Sequence, residues 1–201
     1  MNFEDKWRQY IEDFYTTYGA DILTDQQISI FYGPACTHKG GEYINDCEYD
    51  GAYIALNHLY GNLVEPTEHT GLFPGLFDTF DQDEFFDNNA KASSMDSAGY
   101  VYVPSECISK NVTCKLHVVF HGCEQGSEFL GDTYVTKSGY IEVAELNNII
   151  LIFPQVIKEL VNNPNGCFDW WGYTGMLKYA KKDGVQNIGI KAMVDRLVYG
   201  Y

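Results

Sequence analysis

A chain of 201 residues, 45% of them apolar, is long enough to bury one domain's core. A formal charge of −15 repels nucleic acid and anionic membrane surfaces, so neither is an expected partner, and most of the acidity reads as solubility. No run of about 18 apolar residues occurs, which excludes a membrane-spanning helix, and Met1 to Trp7 shows no basic region followed by an apolar one, so no signal peptide is visible.

In chain order, Phe3, Trp7, Tyr10, Ile11, Phe14 and Tyr18 form a helical stripe over 3–18, read as core packing and ended by Gly19. Residues 20–46 carry the breakers Gly33, Pro34, Gly40 and Gly41. A second helix is predicted over 48–60, with Ala52, Ala55, Leu56, Leu59 and Tyr60 on one face and Gly61 as its stop. Residues 61–96 read as an acidic-aromatic connection. Its acids Asp78, Asp81, Asp83, Glu84 and Asp87 lack the spacing of a calcium loop and suit a solvated face.

Beyond it, 100–103 and 116–120 read as strands, 138–146 as a helix, 149–153 as a strand and 188–199 as a helix ended by Gly200. That β-α-β succession suits a parallel sheet flanked by helices. The chain thus divides into an N-terminal helical segment (1–60), the connection (61–96) and a β-α-β part (97–201).

Six cysteines at 36, 47, 107, 114, 123 and 167, with no Cys-x-x-Cys, favour disulfides over zinc. Spacing suggests Cys36–Cys47 and Cys107–Cys114 as short loops and leaves Cys123–Cys167 as a long tie, although six cysteines allow about fifteen pairings. Asn111-Val112-Thr113 is a glycosylation sequon inside the second loop. Disulfides and sequon together predict an extracellular or secretory-pathway protein.

The run Leu116-His117-Val118-Val119-Phe120 ends in His121-Gly122-Cys123-Glu124-Gln125, a buried strand delivering a turn to a ligand crevice. In α/β-hydrolases a His-Gly turn at this place supplies one donor of an oxyanion hole, here the N–H of Cys123. No Gly-x-Ser-x-Gly elbow occurs in the 201 residues. Among other candidates, His121 reads foremost as a turn residue bonded to backbone and His117 as a satisfied core or sheet-face histidine. Cys123 is silenced by a disulfide, Ser127 and Ser138 lack an elbow context, and His58 and His69 lack partners at ligand spacing. No metal or cofactor is implied. Trp170, Trp171 and Tyr173 are the ligand-contact candidates because large flat side chains suit an apolar ligand; packing against a 123–167 disulfide is the equal alternative.

His121-Gly122-Cys123-Glu124-Gln125, Ile152-Phe153-Pro154-Gln155 and Asn163-Pro164-Asn165-Gly166-Cys167-Phe168-Asp169-Trp170-Trp171-Gly172-Tyr173 together resemble the poly(3-hydroxybutyrate) depolymerase family of secreted esterases. So does Tyr43-Ile44-Asn45-Asp46-Cys47-Glu48-Tyr49-Asp50-Gly51-Ala52, and the likeness covers about 36–60 and 97–201. Because that segment precedes the His-Gly-Cys strand, the order is similar to the circularly permuted type.

The resemblance implies an α/β-hydrolase-like sheet, the same three disulfides, and a polyester or hydroxyalkanoate oligomer as partner. It also implies a catalytic Ser, Asp and His to which no residue here corresponds: residues 19–35 hold no histidine, and His38 follows Cys36. The expected fold is therefore an incomplete, disulfide-tied α/β-hydrolase. Strand 116–120 should lie exposed where the elbow strand would pair, open to a second chain that completes the sheet. Two functional readings follow. One is a serine ester hydrolase relative inactive over these residues; the other is a non-catalytic binding protein on the same scaffold, and upstream sequence carrying Gly-x-Ser-x-Gly would separate them.

Overall fold

The structure, a computed structural model, describes residues 3–22, 35, 38, 41, 44–45, 47, 49–67, 73–109 and 112–200, without the side chains of 3–8. Cys36, His69 and Asn111 lie outside the described residues. Among the described residues four strands form one sheet: β1 (Leu76–Asp81), β2 (Ala98–Val103), β3 (Lys115–Val118) and β4 (Ile149–Phe153), in the order β1-β2-β4-β3. Among the described residues only β3 and β4 run parallel, with Lys115 opposite Ile149 and Val118 opposite Ile152. β2 is antiparallel to β4, Val101 facing Ile152, and antiparallel to β1.

The sheet is therefore mixed, and the expected parallel alignment of the strand at 100–103 is corrected. Connection length accounts for the one pair that is parallel, β3 with β4. A parallel crossover takes a dozen or more residues, usually including a helix. Residues 119–148 supply that between β3 and β4 with α4 (Ser127–Leu130), α5 (Thr133–Lys137) and α6 (Tyr140–Asn147). Between β2 and β3 lie only 104–114, holding the short α3 (Ser105–Ile108) and the Cys107–Cys114 disulfide.

β4 is apolar throughout because both its faces are covered. On one face Ile149, Leu151 and Phe153 pack with Tyr102 against α2 (Gly51–Tyr60), α5 and α6 through Ala52, Leu56, Val135 and Ile141. On the other, Ile152 packs with Met193 of α7 (Val185–Tyr199) and with Phe86, Ala90 and Met95. The helix ends follow the local chemistry read from the sequence. Asp50 accepts the Tyr53 N–H at the start of α2, and Gly61 and Gly200, both at positive φ, close α2 and α7.

Two further readings of the sequence are corrected. The stripe on α1 (Phe3–Thr17) is not core: Tyr10, Ile11, Phe14 and Tyr18 are each more than half exposed, and Phe14 meets the rings of Tyr15 and Tyr18 along the chain itself. Helical periodicity shows that a face exists, not that something covers it. The segment 61–96 is more than a connection, since it holds β1 and the fully buried Gln82. That side chain donates to the carbonyls of Asp96 (2.6 Å) and Gln155 (3.0 Å) and accepts the Gln155 N–H (3.0 Å). β1 gave no strand signal because Leu76-Phe77-Asp78-Thr79-Phe80-Asp81 carries two acids and exposes four of its six residues, as an edge strand allows.

Candidate functional site

β3 ends at Val118, two residues earlier than the sequence suggests, although the Val119 N–H still donates to the Ile152 carbonyl at 2.9 Å. The chain then turns through His121-Gly122-Cys123 beyond the C-terminal edge of the parallel pair, where ligands bind in open α/β sheets. His121 is buried. Its Nε2 accepts the Val156 N–H at 3.3 Å, so the proton sits on Nδ1, which donates to the Gly122 carbonyl at 2.8 Å. Burial lowers its pKa, opposed by the Gly122 bond, and its ring packs against Phe168 and Tyr134. Both ring nitrogens are committed to backbone, so His121 is a brace for the turn.

The turn is held from three more directions. Gln125 Oε1 accepts the Gly122 N–H at 2.8 Å, and the Asn165 carbonyl accepts the Glu124 N–H at 2.7 Å. Cys123 is bonded to Cys167 across 44 residues. Cys107 and Cys114 are joined as expected from spacing. Cys47 is also disulfide-bonded, while Cys36, its expected partner, lies outside the described residues.

On the far side of the 123–167 bridge the motif from Asn163 to Tyr173 folds around its own polar groups. Asn163 is buried; its Oδ1 accepts the Cys167 N–H (2.8 Å) and its Nδ2 donates to the Cys167 carbonyl (2.9 Å). The Tyr173 hydroxyl donates to that same carbonyl (2.6 Å) and accepts from Asn163 Nδ2 (3.2 Å) and Gln186 Nε2 (3.0 Å). Burial, partly offset by the Gln186 bond, pushes this hydroxyl up to about 12, so it remains a donor across the working range of pH. Of the three aromatic candidates, then, Tyr173 spends its polar group inside the protein. Trp170 is 70% and Trp171 40% exposed, so neither is packed away against the disulfide.

Asp169 organises the stretch between them. Burial raises its pKa, but hydrogen bonds from Thr174, Gly172 and Tyr173 outweigh that and hold the carboxyl below its ordinary value. Asp169 and Gln186 were not singled out from the sequence. An Asp before Trp-Trp-Gly-Tyr-Thr is a signal for a turn closed by its own side chain. Gln186 gives no comparable signal, because its partners are distant in sequence.

The other histidines stand apart from this turn. His117 stacks on Tyr140 and its Nδ1 lies 3.2 Å from the Tyr60 hydroxyl, as a sheet-face histidine would, and burial lowers its pKa. His58 Nε2 lies 3.4 Å from the Asp21 carbonyl. Among the described residues no group of three or more His, Cys, Asp or Glu could hold a metal ion. Ser127 donates to Asp96 (2.6 Å) and Ser138 is buried, so neither is placed as a nucleophile.

A parallel pair ending in a disulfide-clamped His-Gly-Cys turn, between helical layers, defines an incomplete α/β-hydrolase-like fold. No family model matches the chain. It is 40% identical over 202 residues to a poly(3-hydroxybutyrate) depolymerase of Delftia acidovorans, a match spanning 98% of this chain and 39% of that protein. It is 35% identical over 177 residues to a polyhydroxybutyrate depolymerase of Talaromyces funiculosus, spanning 83% and 50%. Two solved structures agree: a PHB depolymerase carrying a serine-to-alanine substitution and complexed with an R3HB trimer (TM-score 0.76), and the PHB depolymerase from Penicillium funiculosum (TM-score 0.75). Each is 34% identical and covers 86% of this chain and 55% of its own. The chain is thus poly(3-hydroxybutyrate) depolymerase-like and, through those relatives, ester hydrolase-like, and it spans about half the length of the relatives it matches.

Proposed function

We propose that this chain is an extracellular protein that binds short 3-hydroxyalkanoate ester chains on the face formed by Trp170 and Trp171 beside the His121-Gly122-Cys123 turn. The observation that carries the reading is the Cys123–Cys167 bridge, which ties that turn to the segment bearing two exposed indoles. An ester carbonyl would accept from the Cys123 N–H while its methyl-bearing backbone lies on an indole face. The relative solved with an R3HB trimer supports this ligand class. The disulfides favour an oxidising compartment, and the Asn111 sequon makes a glycan part of the same reading.

Turnover is a different matter. Acyl transfer needs an activated nucleophile and a base before an oxyanion donor helps. The 201 residues hold no Gly-x-Ser-x-Gly, Cys123 is in a disulfide, and His121 gives both nitrogens to backbone. We therefore expect the chain to bind without hydrolysing.

Covering two indole faces at about 1.5–3 kcal/mol each, less ordering costs, places a trimer near the ~4 kcal/mol of a millimolar Kd. The test is a tryptophan-fluorescence titration with (R)-3-hydroxybutyrate trimer alongside a p-nitrophenyl butyrate assay. A saturable shift that is lost in Trp170→Ala/Trp171→Ala, with no ester turnover, is expected. No shift in wild type would overturn the binding reading, and hydrolysis blocked by a serine-directed phosphonate would overturn the non-catalytic one.

A further inference from the structure

Four consecutive backbone N–H groups converge on one side chain. Asp169 Oδ1 accepts from the N–H of Trp171 (3.2 Å), Gly172 (2.6 Å) and Tyr173 (3.1 Å). Its Oδ2 accepts from the Thr174 N–H (2.8 Å) and hydroxyl (2.6 Å). The Asp169 N–H in turn donates to Gln186 Oε1 at 2.9 Å, and the buried Gln186 also donates to the Ser93 carbonyl at 2.8 Å. The turn is therefore wrapped around a carboxylate of its own chain and anchored to α7.

Gly172, at φ +101, is required here, since a Cβ would stand 2.9 Å from the Met176 Cα. Such a wrap stabilises the turn without drawing Trp170 or Trp171 into the core. Trp170, 70% exposed, gains little from burial, and Trp171 is covered only in part, by contacts that include the Tyr173 ring. A rigid polar scaffold beneath exposed aromatics is instead what preorganised ligand contact requires.

We propose that Asp169 is the positioning residue of the ligand face, its carboxylate fixing the backbone of 171–174 so that Trp170 and Trp171 present their indoles beside the Cys123 turn. This rests on the ligand reading proposed above, but positioning can be read without ligand. The experiment uses the full chain in a Trp7→Phe background, so that emission reports only the two indoles of the turn. Asp169→Ala removes every acceptor. Asp169→Asn keeps Oδ1 for three N–H groups but sets an amide NH2 against the Thr174 N–H.

Acrylamide quenching, emission maximum, trimer affinity, far-UV circular dichroism and Tm are measured together. Asp169→Ala is expected to change quenching and emission and to weaken trimer binding ~tenfold or more, with sheet and helix signals retained and Asp169→Asn in between. Wild-type quenching and affinity in a folded Asp169→Ala overturn the proposal. If that variant does not fold, Asp169→Asn decides in the same way. If wild type fails to bind trimer while Asp169→Ala still alters quenching, the ligand reading falls and the positioning role stands. If wild type binds and neither variant alters quenching or affinity, the reverse holds.

Discussion

His121 is buried neutral, with Nε2 as an acceptor that a second proton would destroy. Burial lowers its pKa against the opposing Gly122 bond, and burial also lowers that of His117. In the unfolded chain both titrate near the ordinary histidine value of about 6.5. Below that value the unfolded state binds protons that the native state refuses, so stability is full above it and is lost as pH falls through the window down to the depressed native values. The urea midpoint should therefore drop between pH 7.5 and pH 5.5, a range above carboxylate titration, and His121→Gln should flatten the drop. An unchanged slope in that variant would show that His121 is not the group responsible. His121→Phe removes the acceptor from the buried Val156 N–H and should cost about 1–3 kcal/mol.

At the scale of elements, α7 lies against the segment that follows β1 through a contact that admits no side chain. A Cβ built on Gly189 would stand 2.1 Å from Phe86 Cζ, so the Phe86 ring occupies the place of a side chain on the helix. Glycine costs an exposed helix about 1 kcal/mol relative to alanine, and by propensity alone Gly189→Ala should stabilise α7. Overpacking works the other way, at about 1–3 kcal/mol. The close approach decides the sign: we expect a lower Tm for Gly189→Ala and partial recovery in Gly189→Ala/Phe86→Leu. A raised Tm in the single variant would show that the ring can move aside at no cost.

The whole molecule is bound together chiefly by its core and by covalent ties of unequal reach. Closing the 44-residue loop of Cys123–Cys167 removes about 4 kcal/mol of unfolded-state entropy, against about 2 kcal/mol for the 7-residue loop of Cys107–Cys114. Paired serine substitutions should rank accordingly in denaturant midpoint. Loss of the longer tie should also expose the turn and the Trp170-Trp171 segment to early proteolysis, because it joins the His121-Gly122-Cys123 turn to the segment that follows Cys167. Equal losses from both pairs would mean that the fold alone holds the turn in place. The likeness to PHB depolymerase structures extends over 86% of this chain although it matches 55% of theirs.

The sequence by itself determined what depends on near neighbours. The apolar run Ile149–Phe153 announces a strand covered on both faces, Asp50, Gly61 and Gly200 mark helix ends, and the His-Gly-Cys turn follows its strand. Cysteine spacing and the Asn163–Tyr173 motif were equally legible, because each is a short pattern with a local physical meaning. Tertiary structure alone decided the rest. The direction of β2 depends on which partner it meets, the stripe on α1 faces solvent because no periodicity specifies a cover, and β1 becomes a strand only through pairing with β2. Tyr173 changes from a free ring to a brace once Gln186 and Asn163 reach it. Gln186 also bonds the Ser93 carbonyl 93 residues away, and Gln82 bonds Gln155 at a separation of 73. Buried polar side chains must find partners wherever the fold supplies them, and over such separations that choice leaves no periodicity or spacing to read.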